Sequence, residues 1–417
     1  MIRSANKKDI DGILNILGKA FNTTMNKGRE IYLRDLVLKE LHCWRVMVLN
    51  DNIIGAVHIS VNELRIGKAI VTKMDPGEVS VLPEYHGKGY GTMLMQDTIE
   101  WMKKENCDIS RLGGLTEFYS RFGYLRFPRR YIEFTVGKKV QAGASMVKED
   151  ELFLEKEIIS KIRQFNPKKD SQAYLKISEE FNKKYTTSRV IYSQPKLSEK
   201  NPLHLVYEDK GKILGFMFAI ERKEDFSEFE AKITINEVGY KKDKQTVIGH
   251  FIKYLYNYSL KNKMKRITAR VPFDPQIKEQ LLKIPVNFKI IEIYGGKSSN
   301  MLQIINLKSL FTKLVPELEN RLHNSLASNW RGTVEINIGK DNVKFFIGNG
   351  KIRLLNEILA ELKIVIEEYY LLELVLGLVS FGEIKQLLNE KIELTPVTES
   401  LLNDLFPRKL VGSGNWE

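Results

Sequence analysis

The segment 79–92 has the residue types and the spacing needed to hold a diphosphate group. It reads Val-Ser-Val-Leu-Pro-Glu-Tyr-His-Gly-Lys-Gly-Tyr-Gly-Thr, with glycines at three alternate positions, and a helical pattern continues to Lys104. Glycine lets the backbone adopt positive φ and approach a ligand closely. Amides at the start of a helix converge on an anion, and the helix dipole favours negative charge there. The segment therefore predicts a metal-free diphosphate site, to which Lys88 adds a positive charge.

Two other interpretations of this glycine-rich loop are open. A loop that only connects a strand to a helix needs no ligand, and a lone Gly-x-Gly-x-Gly would favour that reading. A Rossmann dinucleotide site would place the loop in a βαβ unit with an acid for the ribose. Here the loop comes after helices and a hairpin, and no such acid is evident, so the sequence disfavours a Rossmann site.

Alternating elements surround the loop and must position it. Hydrophobic periodicity predicts helices and strands over the following ranges before the loop: helices after Ser4 and over 30–41, and strands 44–49, 53–61 and 78–81. After the loop the predicted elements are a helix over 92–104, a strand over 109–112, a short helix ending at Gly123 and a strand over 131–136. This order predicts a layered domain of mixed α and β structure.

A second, diverged copy of this arrangement follows along the chain. Residues 203–222 repeat the hairpin at 43–63, with an apolar strand, a charged turn and Ile-x-Gly leading into the next strand. The predicted elements after it are a strand over 231–240, a helix over 246–261, a strand over 267–271 and a helix over 275–283. Lys-Lys-Asp-Lys-Gln at 241–245 stands where the first copy has its glycines, so we expect no diphosphate site in the second copy.

The last third of the chain has a different pattern. Its predicted strands are 333–338, 343–347 and 351–355, and its predicted helices are 357–362, 370–375 and 381–389. These elements indicate a compact α+β domain, and a Gly-Gly-Lys-Ser-Ser-Asn turn near residue 300 marks its start. The predicted domains are therefore 1–140, 141–300 and 301–417.

Composition limits the class of protein. The chain has 417 residues, a net charge of +13 and two cysteines, which argues against a disulfide framework or a cysteine-based zinc site. No secretory signal is evident, and the apolar stretch 369–381 is too short to span a bilayer. These features predict a cytoplasmic protein. Most of the excess charge lies in 141–300, which leaves nucleic acid open as a partner, although a solvated lysine-rich surface is the simpler reading.

Two motifs resemble one known family. Residues 86–91, His-Gly-Lys-Gly-Tyr-Gly, resemble the acetyl-CoA signature (Arg/Gln)-x-x-Gly-x-(Gly/Ala) of the GNAT N-acetyltransferases, with His86 in place of Arg or Gln. Residues 117–124 resemble the Tyr-x-Arg-Phe-Gly-Tyr segment of the enhanced intracellular survival (Eis) family. Segments 330–334 and 374–381 look like that family's sterol-carrier-protein-like domain. The resemblance implies an α+β fold with tandem GNAT domains, the second degenerate, followed by a sterol-carrier-like domain.

The resemblance also implies site residues. Acetyl-CoA is the implied cosubstrate, and the positions that match the family's cofactor contacts are Val79, Ser80, Val81, Gly87, Lys88, Gly89, Tyr90, Gly91, Thr92, Gly114 and Leu115. Tyr119 corresponds to the tyrosine that protonates the leaving thiolate. The family's terminal carboxylate helps to deprotonate the amine, and Glu417 stands at that end here, where the family usually has Phe. Glu78 is a second candidate base, and Tyr124 is expected to be a packing residue.

The implied reaction is transfer of an acetyl group to a primary amine by direct attack. No metal site is expected, because His58 and His86 have no ligand partners at suitable spacing. Family members act on aminoglycosides, polyamines or lysine side chains, and the resemblance implies a homo-oligomer, a hexamer. Two alternatives stay open. One is a lipid- or partner-binding protein that keeps the GNAT scaffold without turnover, and the other is a nucleic-acid-associated protein that uses the basic middle domain.

Overall fold

A computed structural model describes residues 1–21, 27–137, 139–142, 145–148, 151–192, 201–222, 231–323, 325–357, 359–388 and 395–412. Within these residues the strands form sheets of eight, seven, four and two strands. No helix of the described part of the chain is long and apolar enough to cross a membrane.

The first segment contains eleven elements. In chain order they are β1 (Ile2–Ser4), α1 (Ile10–Ala20), α2 (Lys27–Lys39), β2 (Trp44–Leu49), β3 (Asn52–Ile66), β4 (Ala69–Val81), α3 (Tyr90–Lys104), β5 (Ile109–Leu115), α4 (Thr116–Ser120), β6 (Leu125–Arg126) and β7 (Arg129–Thr135). Ser4 ends a strand and does not cap the first helix as predicted. A 3-10 turn over Lys7–Asp9 precedes α1, and Asn6 caps that turn: its side chain accepts from the Lys8 amide while its own amide donates to Asp9.

The hairpin of β3 and β4 is longer than its sequence pattern suggests. It turns at Gly67, which has φ +59°, and its register runs from Ile66 opposite Ala69 to Gly55 opposite Val81. One face of the hairpin is apolar where it packs on the C-terminal elements and polar beyond them, which interrupts the alternation that reveals a strand. The predicted strands 53–61 and 78–81 therefore lie side by side at the open end of one long hairpin.

The middle segment repeats this topology. Its elements are β8 (Lys139–Ala142), β9 (Ser145–Lys148), α5 (Lys156–Lys161), β10 (Ile162–Gln164), α6 (Pro167–Asn182), β11 (Ser188–Arg189), β12 (His204–Asp209), β13 (Lys212–Arg222), β14 (Lys232–Tyr240), α7 (Thr246–Lys261), β15 (Arg266–Ala269), α8 (Pro275–Leu282) and β16 (Phe288–Ile293). The first sheet has the strand order β1-β2-β3-β4-β5-β17-β6 and the second has β10-β12-β13-β14-β15-β7-β16, where β17 is Ser298–Ile304. Each sheet has one parallel step at the same place, between β4 and β5 and between β14 and β15.

The two sheets exchange a strand. The predicted strand near 131–136 does not close the first sheet, because β7 pairs with β15 and β16 of the second, where Phe134 packs on Phe288. The place beside β5 is taken by β17, which follows the second copy in the chain. Each sheet is thus completed by the other segment, while the boundaries 1–140, 141–300 and 301–417 stay predictions.

The C-terminal elements pack directly on the first sheet. They are α9 (Leu307–His323), β18 (Gly332–Asn337), β19 (Asn342–Gly348), β20 (Lys351–Leu355), β21 (Leu362–Val365), α10 (Glu368–Val375), α11 (Phe381–Leu388) and α12 (Pro396–Leu405). The predicted helix over 357–362 is wrong: this stretch leads into strand β21, and Leu359 is exposed. Helices α9 and α12 were not predicted. Side chains of α9 share one core with Leu64, Val71 and Ile109 of the first sheet.

Candidate active site

A gap opens in the first sheet between β4 and β5. These parallel strands pair only at Lys73 with Ile109 and at Met74 with Ser110, among the described residues. Beyond that point β4 continues beside β3, and β5 continues beside β17 as far as Leu115 opposite Ser298. Among the described residues no strand lies between the facing edges of 76–81 and 112–115, so this part of the sheet offers unpaired strand edges to a ligand.

A bulge shapes the β4 side of this gap. The register steps from Ala56–Ser80 to His58–Gly77, so β4 contains one extra residue there, and Glu78 has φ +51°. After the bulge, the Leu82 amide donates to the Ile54 carbonyl across the hairpin at 2.9 Å. By alternation the Val81 N–H points away from β3 and into the gap. Val79 lies in the bulge itself, whereas Ser80 is buried and its hydroxyl donates to the Glu78 carbonyl at 3.0 Å.

The glycine-rich loop ends at the start of α3. Gly87 and Gly89 have φ of +74° and +82°, and Gly89 caps the helix in the left-handed conformation without any side-chain cap. A Cβ built on either glycine would meet no atom of the described residues within 4 Å, so a ligand can approach both glycines. The first helical hydrogen bond is from Met93 to the Gly89 carbonyl at 3.1 Å, and the amides of Tyr90, Gly91 and Thr92 therefore have no acceptor within the helix.

Two side chains of the loop turn back on the protein. His86 lies where the family motif has Arg or Gln, and its Nε2 atom is 2.8 Å from the Val81 carbonyl oxygen. Lys88 does not extend over the loop, because its Nζ atom donates to the Glu84 carbonyl at 3.0 Å and lies 5.2 Å from the centre of the Tyr85 ring. The Lys88 ammonium group stays near the loop, but the groups of the loop that are open to a ligand are those of its backbone. The sequence did not predict this hydrogen bond between His86 and β4.

Tyr119 lies across the gap on α4. A Cβ built on Gly114 would overlap the Tyr119 Cε2 atom at well under 3.0 Å, so the absence of a side chain at Gly114 is what admits the ring. The ring also packs edge-on against Phe118 at 4.9 Å and Tyr124 at 6.3 Å between centroids. Burial raises the pKa of Tyr119, and among the described residues no second cause contributes. A tyrosine in this state keeps its proton at neutral pH.

The other predicted residues occupy different surroundings. Leu115 is exposed at the end of β5, and Tyr124 is fully buried with its hydroxyl 2.7 Å from Ser110 Oγ, as expected of a packing residue. Glu78 is exposed on the bulge. His58 is a strand residue beside Glu40, at 2.8 Å, and no three His, Cys, Asp or Glu side chains of the described residues could hold a metal ion. Glu417 lies outside the described residues.

The corresponding place in the second sheet is filled by side chains. Tyr185 donates to Asp274, Tyr240 donates to Gln276 at 3.1 Å, and the Phe181 and Tyr240 rings are 4.9 Å apart. Helix α7 begins after Gln245, which adopts a right-handed helical conformation, so no glycine opens the backbone there. The second copy has kept the strand arrangement and lost the open gap.

Comparison with known proteins places these observations in a family. Residues 1–126 match the family model described as the acetyltransferase (GNAT) domain. An uncharacterized N-acetyltransferase of Methanocaldococcus jannaschii is 29% identical over 136 residues, a match that covers 30% of this chain and 59% of that protein. The chain thus spans somewhat more than half the length of this curated relative.

Solved structures match along the whole chain. A probable N-acyltransferase of Enterococcus faecalis has a TM-score of 0.66 at 15% identity, covering 99% of this chain and 97% of that one. Eis1 of Mycobacterium abscessus has a TM-score of 0.60 at 12% identity, covering 100% of this chain and 99% of that one. At these identities the likeness concerns the fold. The likeness confirms the predicted α+β fold class, and the domain match identifies residues 1–126 as a GNAT acetyltransferase domain.

Proposed function

Because its N-terminal domain belongs to the GNAT acetyltransferases, we propose that this chain transfers an acetyl group from acetyl-CoA to a primary amine. The family implies an acyl-CoA cosubstrate. The observation that carries the proposal is the coincidence of three features at one gap. They are a strand edge on β4 without a neighbouring strand among the described residues, amides at the start of α3 that have no acceptor within the helix, and a protonated tyrosine on the far side.

The free amides account for cofactor binding. Tyr90, Gly91 and Thr92 offer N–H groups at the positive end of a fifteen-residue helix, where a diphosphate is stabilised by hydrogen bonds and by the helix dipole. The N–H groups of β4, from Val79 to Val81, then serve the arm that joins the diphosphate to the thioester. Gly87 and Gly89 allow the approach, and Gly114 and Leu115 border the opposite side of the gap.

Tyr119 is the proposed general acid. The amine nitrogen attacks the thioester carbon, the new C–N bond forms, and the C–S bond breaks with its electron pair on sulfur. The Tyr119 hydroxyl gives its proton to that sulfur and is reprotonated from solvent. Burial supports this role because it disfavours the phenolate, so that the Tyr119 hydroxyl stays protonated.

The terminal carboxylate of Glu417 is the proposed base that takes the amine's proton. Its support comes from where the tail is anchored. The Gly412 amide donates to the Thr186 carbonyl at 2.7 Å, and a Cβ on Gly412 would touch the Ser188 backbone at 3.2 Å, one residue before Arg189 of β11. Since β11 pairs with β3 of the first sheet, Gly412 lies beside that sheet, five positions before Glu417 in the sequence. Glu78, exposed on the bulge, is the alternative base.

The test is release of CoA thiol from acetyl-CoA with a panel of primary amines, followed by mass spectrometry of the amine. We expect acetylated product and one thiol for each acetyl group transferred. Thiol release without acetylated amine would indicate hydrolysis, and an absence of both with every amine would contradict the proposal and favour a binding protein on the same scaffold. A homo-oligomer, as the resemblance implies, is to be checked by light scattering on the same preparation.

A further inference from the structure

Lysine side chains collect at one end of the second sheet. Three segments meet there: 166–170 at the start of α6, 208–212 at the turn between β12 and β13, and 241–245 before α7. Side chains from all three segments line one groove of about 740 Å³, which we call the lysine groove. The segments contain seven lysines, which are Lys168, Lys169, Lys210, Lys212, Lys241, Lys242 and Lys244.

Three of the acids in these segments are already paired with other cations. Arg163 Nη1 is 2.7 Å from Asp170 Oδ2, and Arg163 Nη2 is 2.5 Å from Glu208 Oε2. Asp209 is 3.2 Å from Lys161 Nζ. None of the seven lysines forms an ion pair within 4 Å with a described residue, and all but one of them are exposed. Their ammonium groups can therefore bind an anion from outside the chain.

Two helix ends add positive potential to the lysine groove. Helices α6 and α7 begin there, at Pro167 and Thr246, and each has sixteen residues. The N-terminus of a helix carries a partial positive charge, which makes a lysine in the first turn unfavourable for the helix itself. Lys168 and Lys169 nevertheless occupy the first turn of α6, and the first turn of α7 contains no acid. The helix dipoles and the lysines thus act in the same direction on an approaching anion.

The corresponding end of the first sheet lacks this excess of lysine. Both copies start with the same contacts, since Asn6 and Asn166 each cap a first turn and an arginine holds the acid that follows. The first-copy segments 6–9, 49–52 and 82–88 contain three lysines and three acids, whereas the three segments of the second copy contain seven lysines and four acids. The lysines are therefore concentrated at one place, which a uniformly solvated lysine-rich surface does not explain.

We infer that the lysine groove binds duplex nucleic acid through its phosphate backbone. A duplex carries about one negative charge per 1.7 Å of its axis, and lysine binds phosphate as a point charge without reading the bases. The three segments contain no aromatic residue and no Leu, Ile, Val or Met. A protein partner would lack apolar anchors there, and the bases of a single strand would lack rings on which to stack. Because the groove is concave, a flat bilayer would reach only its rim.

Binding is measured without acetyl-CoA, so the test does not depend on the proposed function. The probe is a fluorescein-labelled duplex DNA of mixed sequence, about 20 base pairs long, and fluorescence anisotropy gives Kd between about 50 and 200 mM salt. If the groove neutralises about five phosphates, the logarithm of the association constant falls with the logarithm of the salt concentration with a slope of about −4.5. The affinity should then fall about 500-fold over this range of salt.

Two charge-reversed variants locate the binding surface. Lys168→Glu/Lys169→Glu changes the groove and should stabilise α6, because carboxylates are favourable at a helix N-terminus. We expect its affinity for the duplex to be at least about tenfold weaker and its salt slope to be smaller by about 2. Lys7→Glu/Lys8→Glu is the matched control, since it makes the same change in net charge at the same position of the first copy. It should change Kd by less than about threefold.

Equal losses in the two variants would show that only net charge matters and would overturn the inference, as would the absence of duplex binding at about 50 mM salt. Tighter binding of the single strand of the same sequence would exclude a duplex site. Binding of phosphatidylserine vesicles or of inorganic polyphosphate without binding of the duplex would also overturn it. Should circular dichroism show that Lys168→Glu/Lys169→Glu does not fold, Lys210→Asn/Lys212→Gln must weaken duplex binding instead, because it changes only the exposed turn and asparagine tolerates the positive φ of Lys210.

Discussion

Adding one methyl group at Gly114 tests whether the position of the Tyr119 ring controls the reaction. The Cβ of Gly114→Ala would overlap the Tyr119 Cε2 atom and lie 3.2 Å from its Cδ2 atom. Gly114 does not have positive φ, so alanine fits the backbone conformation and acts only through this contact. The substitution displaces the ring while it leaves the hydroxyl in the protein.

The size of the displacement follows from ordinary contact distances. Carbon atoms pack best at about 3.5–4.0 Å, so the ring must retreat by roughly 1 Å. A misplacement of about 1 Å in a catalytic group costs on the order of 100-fold in rate. Overpacking of this kind also lowers the free energy of unfolding by about 1–3 kcal/mol. We therefore expect kcat to fall about 100-fold and Tm to fall by a few degrees.

The assay is steady-state thiol release, with CoA affinity measured by calorimetry and Tm by thermal unfolding. Gly113→Ala is the control, because its Cβ would meet only the end of the Arg129 side chain, at 3.4 Å, and points to the other face of the sheet. We expect this variant to keep most of its activity. A Gly114→Ala enzyme that folds, binds CoA and turns over at the wild-type rate would refute the assignment of Tyr119 as a positioned acid.

Four further outcomes are expected. Tyr119→Phe should lose about 100-fold or more in turnover and keep CoA affinity; since burial raises the pKa of Tyr119, the wild-type rate should show no loss of this acid below about pH 10. Gly89→Val should abolish CoA binding with circular dichroism unchanged, because φ of +82° strains a β-branched residue and its side chain would cover the amides. Calorimetry should give one CoA per chain, and a value of two would contradict a closed second site. Deleting Trp416 and Glu417 should lower turnover with little change in Tm, and a normal rate would favour Glu78 as the base.

Most of the elements could be predicted because their periodicity is local. The strands 44–49 and 351–355 and the helix 246–261 have the predicted bounds. The exchange of β7 and β17 could not be predicted, since a strand's sequence shows which face is buried but not which sheet it joins. The middle of β4 was not predicted as a strand because Lys73 and Asp75 interrupt the run of apolar residues by which a strand is recognised.

The candidate site was predictable to a similar degree. The glycine positions follow from their chemistry, since Gly87 and Gly89 adopt the positive φ that a glycine-rich loop suggests. Two contacts depend on side-chain directions, which the spacing of residues in the sequence does not reveal. They are the hydrogen bond between His86 and the Val81 carbonyl and the contact of the Tyr119 ring with Gly114.

The two copies share a fold, but only the first has an open gap at which a reaction could take place. Both contain a bulge on the strand before the long helix and a parallel step beyond it, so both sheets have strands that diverge at the same place. In the second copy Tyr185, Tyr240 and Asp274 fill that place and bond to one another. A filled gap stabilises its domain and can hold β11 firmly against the first sheet, beside which the C-terminal tail is anchored. The first copy keeps its gap open, and the amides of Tyr90, Gly91 and Thr92 beside it have no acceptor within helix α3, which is what the diphosphate of a cosubstrate requires.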